Sequence, residues 1–299
     1  MPMRILVTGA AGMLGSDVMI ALGDRGHSVQ GLDRSALDIT DESAVADAVW
    51  DVEAVVNCAA WTAVDDAESE EAAAYWVNAI APQLLARATH RAGAGLVHVS
   101  TDYVFSGDAA APYDEEAPLA PRSAYGRSKA AGEWAVRAEH PRHWIVRTAW
   151  LYGAGGDCFP RTIARLAGER EQLSVVDDQI GQPTWTVDVA GQIAALLEGQ
   201  APWGTYHATS AGTASWFDFA TAVVDSAGAR ARVAPTTTAA FSRPAPRPAW
   251  SVLGHRRWAE AGIAAIGNWR ERWEAAAADV LGEAAADDQA AMSTLRRDS

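Results

Sequence analysis

Cysteine is scarce in this chain: Cys58 and Cys158 are the only two in 299 residues, and no short Cys–Cys spacing exists to bind a metal or run redox chemistry. Both are read as free thiols. Positive charge is also in short supply. The 24 Lys and Arg set against 38 Asp and Glu give a formal net charge of −14, which argues against nucleic acid or an anionic membrane as the main partner, because both demand clustered cations. A phosphorylated small molecule stays open, provided that local Arg residues and helix N-termini supply the positive potential. No run of ~20 apolar residues is present, and the longest uncharged stretches, such as Gly199 to Phe217, are broken by Gly, Pro, Thr and Ser. The three residues before the first apolar run are too few for an export signal, so a soluble cytoplasmic protein is expected. Internal repeats and heptad runs are missing too.

What is there is a large apolar fraction, 49%, enough for one big α/β domain or two unequal ones. Apolar runs alternate with amphipathic segments: Arg4 to Val7, then a helix from about Met13; His27 to Leu32, then one from Asp41; Ala54 to Asn57, then one from Asp66. Repeated βα units of this kind make a parallel sheet covered by helices. Leu96 to Ser100 and Trp144 to Thr148 add two strands, with the helical segment Ser123 to Ala138 between them. The expected fold is α/β, a Rossmann-type doubly wound parallel sheet with a smaller C-terminal substrate-binding α/β domain. Residues 1–153 form the first domain, which the chain rejoins at about 185–210 through a helix (Val187 to Leu197) and a short strand (Gly204 to Ala208). Residues 154–184 and 211–282 form the second, opening with a Gly- and Pro-containing loop from Gly153 to Pro160. From Glu283 onward the composition predicts a frayed or disordered tail.

Between the first strand and helix lies Gly9-Ala10-Ala11-Gly12-Met13-Leu14-Gly15. Glycine in such a turn lets backbone N–H groups approach a pyrophosphate and lets helix and sheet pack closely, while the helix N-terminus favours the anion. Glycines also make ordinary turns; here the strand–turn–helix context favours a dinucleotide. Asp33 follows the second strand, placed to accept from the adenosine ribose hydroxyls, which favours NADH. Arg34 beside it suits a 2′-phosphate instead, and Asp38, followed by Ile39, is a further candidate at this edge.

Tyr125-Gly126-Arg127-Ser128-Lys129 puts Tyr and Lys one helical turn apart on one face. Reducing a ketone requires a hydride at carbon and a proton at oxygen, and a phenol can deliver that proton if its pKa of ~10 is lowered. Reaching about 7 takes roughly 4 kcal/mol at 1.36 kcal/mol per unit, a magnitude that a desolvated Lys and a cofactor hydroxyl can approach. Ser100 and Thr101 end the fourth strand, where ligands bind in open α/β sheets; either hydroxyl can donate to the substrate carbonyl. Glycine turn, strand-end hydroxyl and Tyr–Lys pair together point to an oxidoreductase.

At these residues the chain resembles the dTDP-4-dehydrorhamnose reductase family of extended short-chain dehydrogenases, from Arg4 to about Trp273. The resemblance is carried by Val56 to Asp65, Ser100-Thr101-Asp102-Tyr103-Val104-Phe105, Tyr125 to Glu133, Asp178-Gln179-Ile180-Gly181-Gln182-Pro183-Thr184 and Arg247-Pro248-Ala249-Trp250-Ser251. It implies reduction of the C4 keto group of a dTDP-4-keto-6-deoxysugar by NADPH, with NADH also accepted, in a monomer or homodimer. It implies that Thr101, Tyr125 and Lys129 are catalytic, with Tyr125 as proton donor and Lys129 on the nicotinamide ribose. Ala59, Ala60, Trp61 and Ser100 would line the cofactor, Val64, Asp65, Asp102, Tyr103 and Trp150 the sugar, and Arg247 would approach the diphosphate. Trp61 and Trp250 depart from the smaller or more polar residues common in relatives, which leaves room for another dTDP-4-ketosugar. No acidic set matches the magnesium site of some members, and no metal is expected. A dehydratase of the same superfamily usually carries Thr-Asp-Glu where this chain has Thr101-Asp102-Tyr103. A non-catalytic regulatory subunit, a role one relative of this family plays, would bind cofactor without turnover.

Overall fold

A computed structural model describes residues 1–199 and 201–282; the predicted tail from Glu283 lies outside the described residues. Among the described residues there are twelve strands: β1 (Arg4–Thr8), β2 (Ser28–Leu32), β3 (Ala54–Asn57), β4 (Gly95–Thr101), β5 (His143–Thr148), β6 (Leu151–Tyr152), β7 (Gln172–Val176), β8 (Ile180–Gly181), β9 (Thr184–Trp185), β10 (Gly204–His207), β11 (Ala214–Ser215) and β12 (Arg232–Thr236). The α-helices are α1 (Met13–Asp24), α2 (Glu42–Val49), α3 (Glu71–Tyr75), α4 (Ala81–Ala92), α5 (Ala124–Glu139), α6 (Phe159–Glu169), α7 (Thr186–Glu198), α8 (Trp216–Ser226), α9 (Arg256–Glu260) and α10 (Trp269–Leu281).

Six strands form one parallel sheet in the order β10-β5-β4-β3-β1-β2. Successive side chains of a strand point to opposite faces, so Ile5 and Val7 of β1 join one core with Val18 and Leu22 of α1 and Val189 and Ile193 of α7. Leu6 enters the other core with Val45 of α2, Leu85 of α4 and Val136 of α5. Strands covered on both faces read as continuous apolar runs, which is why these could be located in sequence. Each fully buried leucine here stabilises the fold by about 2 kcal/mol.

A third core gathers Leu173 of β7, Phe219 and Val223 of α8, and Trp273 and Val280 of α10. Helix α8 starts on a capping box in which Ser215 and Asp218 each satisfy the other's backbone N–H. The chain crosses between this region and the sheet repeatedly: β10 pairs with β5, and Trp258 of α9 then buries in the sheet's core while its indole N–H donates to the His207 carbonyl at 2.8 Å.

Two sequence expectations are corrected. Asp66 opens only a single 3-10 turn, Asp66–Glu68; the helix proper starts at Glu71 and passes through a π-helical turn, Trp76–Ile80, before α4. Pro160 does not belong to a loop but to the first turn of α6, where its missing N–H is harmless.

Candidate active site

Strand β1 pairs with β2 on one side and β3 on the other, so the chain reverses direction across the sheet between them and opens a crevice at their C-terminal ends. The glycine turn sits there. Gly9 has φ +67°, and a Cβ on it would stand 2.7 Å from the Ala59 nitrogen; one on Gly15 would stand 2.2 Å from the Gly9 carbonyl oxygen. Only glycine lets β1, β3 and α1 meet so closely. Gly12 caps α1 without a side chain, and no acidic residue occupies the first turn, so nothing on the helix answers its positive N-terminal potential. Ala11 and Gly12 are exposed, Met13 is half-buried, and Leu14 is buried in the core. Gly153, Gly155 and Gly156 run alongside Met13: a Cβ on Gly153 would lie 3.2 Å from its side chain.

At the end of β2, Asp33 Oδ1 accepts from Ser35 N at 2.8 Å, Ser35 Oγ at 2.6 Å and Ala36 N at 3.1 Å. These bonds, led by the Ser35 hydroxyl, hold its carboxyl below the usual range. Asp38 is capped likewise by Thr40, with the exposed Arg34 close enough to lower its pKa further. Ile39 is buried beneath and packs into the core rather than the crevice.

Thr101 ends β4 and Tyr125 and Lys129 stand on α5, whose N-cap Ser123 accepts from Gly126 N at 3.0 Å. All three side chains are buried. The Thr101 hydroxyl is within hydrogen-bonding reach of the Tyr125 phenol and donates to Asp102 Oδ1 at 2.9 Å. Lys129 Nζ donates to the Val99 carbonyl at 2.7 Å. Burial lowers the Lys129 pKa to about 8, with Glu133 and Cys58 acting in the other direction. The Tyr125 phenol is not lowered as its partnership with Lys suggests. Burial pushes it up to about 12, the Thr101 hydrogen bond pulls it back and Asp102 adds to the rise. A phenol so placed is protonated at neutral pH, the state of a proton donor.

Ser100 is corrected: its hydroxyl donates to Glu133 at 2.7 Å behind the strand and is not aimed at a substrate carbonyl. Thr101 alone of the two faces Tyr125. Around the phenol, Trp61, Val64 and Tyr103 pack with Tyr125 in one cluster, Tyr103 edge-on to it at a ring separation of 5.5 Å. Arg247 Nη2 donates to Asp65 Oδ2 at 2.8 Å, tying the Arg247 segment to this wall. Trp150 differs from an open sugar platform. It adopts φ +47°, stacks on Trp216 at 3.6 Å, and presses on Gly181, where a Cβ would stand 2.5 Å from the indole.

Three groups here were not singled out from sequence. Asn57 accepts from Thr8 Oγ1 at 2.7 Å and from Ala59 N, and donates to His98 Nδ1 at 3.0 Å, tying the ends of β1 and β3 to the middle of β4. Asn78, on the π-helical turn, accepts from Trp61 N at 2.8 Å and donates to Trp61 O and Ser128 Oγ, each at 3.0 Å. Ser128 in turn donates to the Tyr125 carbonyl, so Asn78 joins the Ala59–Trp61 loop to the Tyr125 helix. Glu133 is fully buried and takes a two-pronged contact from Arg147, both bonds 2.8 Å, with Arg137 also at 2.8 Å. The signal available for all three was a polar residue inside an apolar run.

A parallel sheet with a glycine turn at its switch point and a Tyr-x-x-x-Lys helix along the crevice defines a short-chain dehydrogenase of the extended type. Residues 3–281 match the family model described as RmlD substrate binding domain, and the chain belongs to this family of dTDP-4-dehydrorhamnose reductases. It is 51% identical over 284 residues to a probable dTDP-4,6-dihydroxy-2-methyloxan-3-one 4-ketoreductase of Streptomyces antibioticus, covering 93% of this chain and 96% of the relative. It is 50% identical over 275 residues to a dTDP-4-dehydrorhamnose reductase of Streptomyces griseus, covering 89% and 90%. Among solved structures, a dTDP-4-dehydrorhamnose reductase from Bacillus anthracis in complex with NADP matches with a TM-score of 0.89 and 40% identity, over 92% of this chain and 99% of that one.

Proposed function

We propose that this protein reduces the C4 keto group of a dTDP-4-keto-6-deoxysugar, dTDP-4-dehydro-L-rhamnose above all, giving dTDP-L-rhamnose, with NADPH as the preferred cofactor and NADH as a second. The observation that carries the reading is the meeting of the Thr101 hydroxyl, the protonated Tyr125 phenol and the buried Lys129 ammonium beside the glycine turn. The cradle fits a dinucleotide: Gly9 and Gly15 leave no room for a Cβ, and the uncapped start of α1 suits a pyrophosphate. Gly9, Gly12 and Gly15 with Met13 and Leu14 would hold that end, Asp33 and Arg34 the adenosine ribose, and Ala59, Ala60, Trp61 and Lys129 the nicotinamide side. NADPH supplies the hydride when bound.

Tyr125 gives its proton to the C4 oxygen as charge develops there. Lys129, whose burial has already made its ammonium costly, gains by facing the phenolate that results and so favours the transfer. Trp61, Val64 and Tyr103 wall the site against water, and Arg247 approaches the diphosphate while Asp65 holds its other edge. In this reading residues 1–153 and 185–210 carry the cofactor and residues 154–184 and 211–282 the nucleotide sugar.

A second reading is a different dTDP-4-ketosugar as substrate. It is favoured by Trp61, whose bulk packs against the Tyr125 cluster, and by the name of the Streptomyces antibioticus relative. One experiment tests both. The protein is incubated with NADPH and dTDP-4-keto-6-deoxyglucose, with and without a 3,5-epimerase, while nicotinamide absorbance is followed. Oxidation only with the epimerase supports the rhamnose reading, oxidation without it supports the second, and none with any dTDP-4-ketosugar overturns both.

A further inference from the structure

Asp102 has no role in the proton transfer as described above, yet its carboxyl is placed beside it. It is 3% exposed, and while Oδ1 accepts from Thr101 Oγ1 at 2.9 Å, Oδ2 is fully enclosed and meets no hydrogen bond of good geometry. The Ser251 hydroxyl, on the Arg247–Ser251 segment, is enclosed as well and lies within reach of the carboxyl. Thr101 therefore stands between two oxygens, the Asp102 carboxyl and the Tyr125 phenol, with one proton to give.

We infer that Asp102 holds the proton that refills Tyr125, passing it through the Thr101 hydroxyl. The inference rests on the reductase reading. In the step, the Asp102 O–H bond breaks as a new O–H forms on Thr101, and the Thr101 O–H breaks as one forms on the Tyr125 phenolate. The Asp102 carboxylate and a neutral phenol result, and Asp102 regains its proton from water between turnovers. No redox change occurs. With Asp102 ionised, the Thr101 proton points to the carboxylate; with Asp102 protonated, the chain of donors reverses and the Thr101 proton points to Tyr125.

Burial raises the Asp102 pKa to about 6, against hydrogen bonds from Ser251 and Thr101 that lower it. The titratable groups packed around it are Tyr103 on its own turn and Tyr125 on α5, with Arg247 and Asp65 acting on the far side of Tyr103. A carboxyl that gains and loses a proton close to neutral pH is suited to such storage.

The test uses the full chain with NADPH and the dTDP-4-ketosugar that the wild-type protein reduces. Asp102→Asn should lower kcat by about 10- to 100-fold while NADPH affinity stays within about threefold. The wild-type kcat should fall as pH rises past its Asp102 break, and the variant should lose that break. Thr101→Ser should keep both the break and most of kcat, whereas Thr101→Val should lose both. A variant Asp102→Asn with kcat within twofold of wild type and the break intact overturns the inference. If the wild-type protein turns over no ketosugar, the reductase reading fails by itself. The proton store is then read without turnover, by the infrared C=O band of a protonated carboxyl between pH 5 and 7. That band should vanish in Asp102→Asn, and its absence from the wild-type protein overturns the inference.

Discussion

Replacing Glu133 by Gln should destabilise the protein far more than replacing Glu133 and Arg147 together. Glu133 is fully buried and Arg147 is 1% exposed, so neither charge can turn to water once its partner is removed. Breaking a buried pair on one side costs about 3–5 kcal/mol, because an uncompensated charge is left inside, whereas exchanging both partners for apolar residues of similar volume is close to neutral. For a chain of 299 residues the unfolding entropy is roughly 0.6 kcal/mol per kelvin, so the single change should lower Tm by about 5–8 °C. The comparison is Glu133→Gln against Glu133→Leu with Arg147→Met, by thermal unfolding at one fixed NADPH concentration, since bound cofactor itself raises Tm. Arg137, a third exposed, can swing to solvent in either variant. The pH dependence has a definite sign. Although burial pushes the Glu133 carboxyl up, the Arg147 and Arg137 contacts and Ser100 bring it below its ordinary value. Its contribution is therefore complete above the unfolded pKa of ~4.3 and is lost as pH falls through the folded one, so wild type and Glu133→Gln should converge in acid. A Tm loss under 2 °C in the single variant, or a double variant no better than the single, refutes the reasoning.

The other predictions concern turnover and binding. Tyr125→Phe should fold and bind NADPH but lose roughly 10²–10⁴ in kcat, measured by nicotinamide absorbance; near-normal turnover removes the phenol from the chemistry. Lys129→Met should lose at least about 10² in activity without losing stability at pH 7. With a folded pKa of about 8 against 10.5 in the open chain, wild-type stability should rise between those values as pH increases, and a pH series of unfolding curves should show this rise missing in the variant. Arg247→Ala should weaken nucleotide-sugar binding more than NADPH binding in paired titrations, and equal loss of both makes Arg247 structural. Arg34→Ala should shift cofactor preference toward NADH by about tenfold, the worth of one charge-assisted hydrogen bond; a ratio unchanged within twofold puts the 2′-phosphate contact elsewhere.

Strands β1, β3, β4 and β5 were legible because each is a largely apolar run buried on both faces, and Tyr125 and Lys129 because their spacing alone puts them on one face of one helix. The π-helical turn at Trp76–Ile80 left no periodic trace, since Asn78 looks in sequence like any polar residue on a helix; only its pairing with Trp61 and Ser128 gives it meaning. Ser100 and Thr101 are alike in composition and adjacent in sequence. Alternation along β4 sends one hydroxyl to Glu133 and the other to Tyr125, and the sequence could not say which until the sheet was placed against α5. The strained Trp150 was equally hidden, because φ follows from the turn between β5 and β6 and from the Trp216 stack, which is far away in sequence.

The contact of Gly153, Gly155 and Gly156 with Met13 bears on how the two ligands sense each other. Met13 begins the helix that faces the pyrophosphate in the proposed reading, and Gly153 lies three residues past Trp150, with the two-residue strand Leu151–Tyr152 between them. In that reading, any shift of Trp150 on sugar binding would reach the cofactor's anchor through this short segment. Thermodynamic linkage makes any such coupling reciprocal: whatever factor the nucleotide sugar adds to NADPH affinity, NADPH must add to the affinity for the sugar.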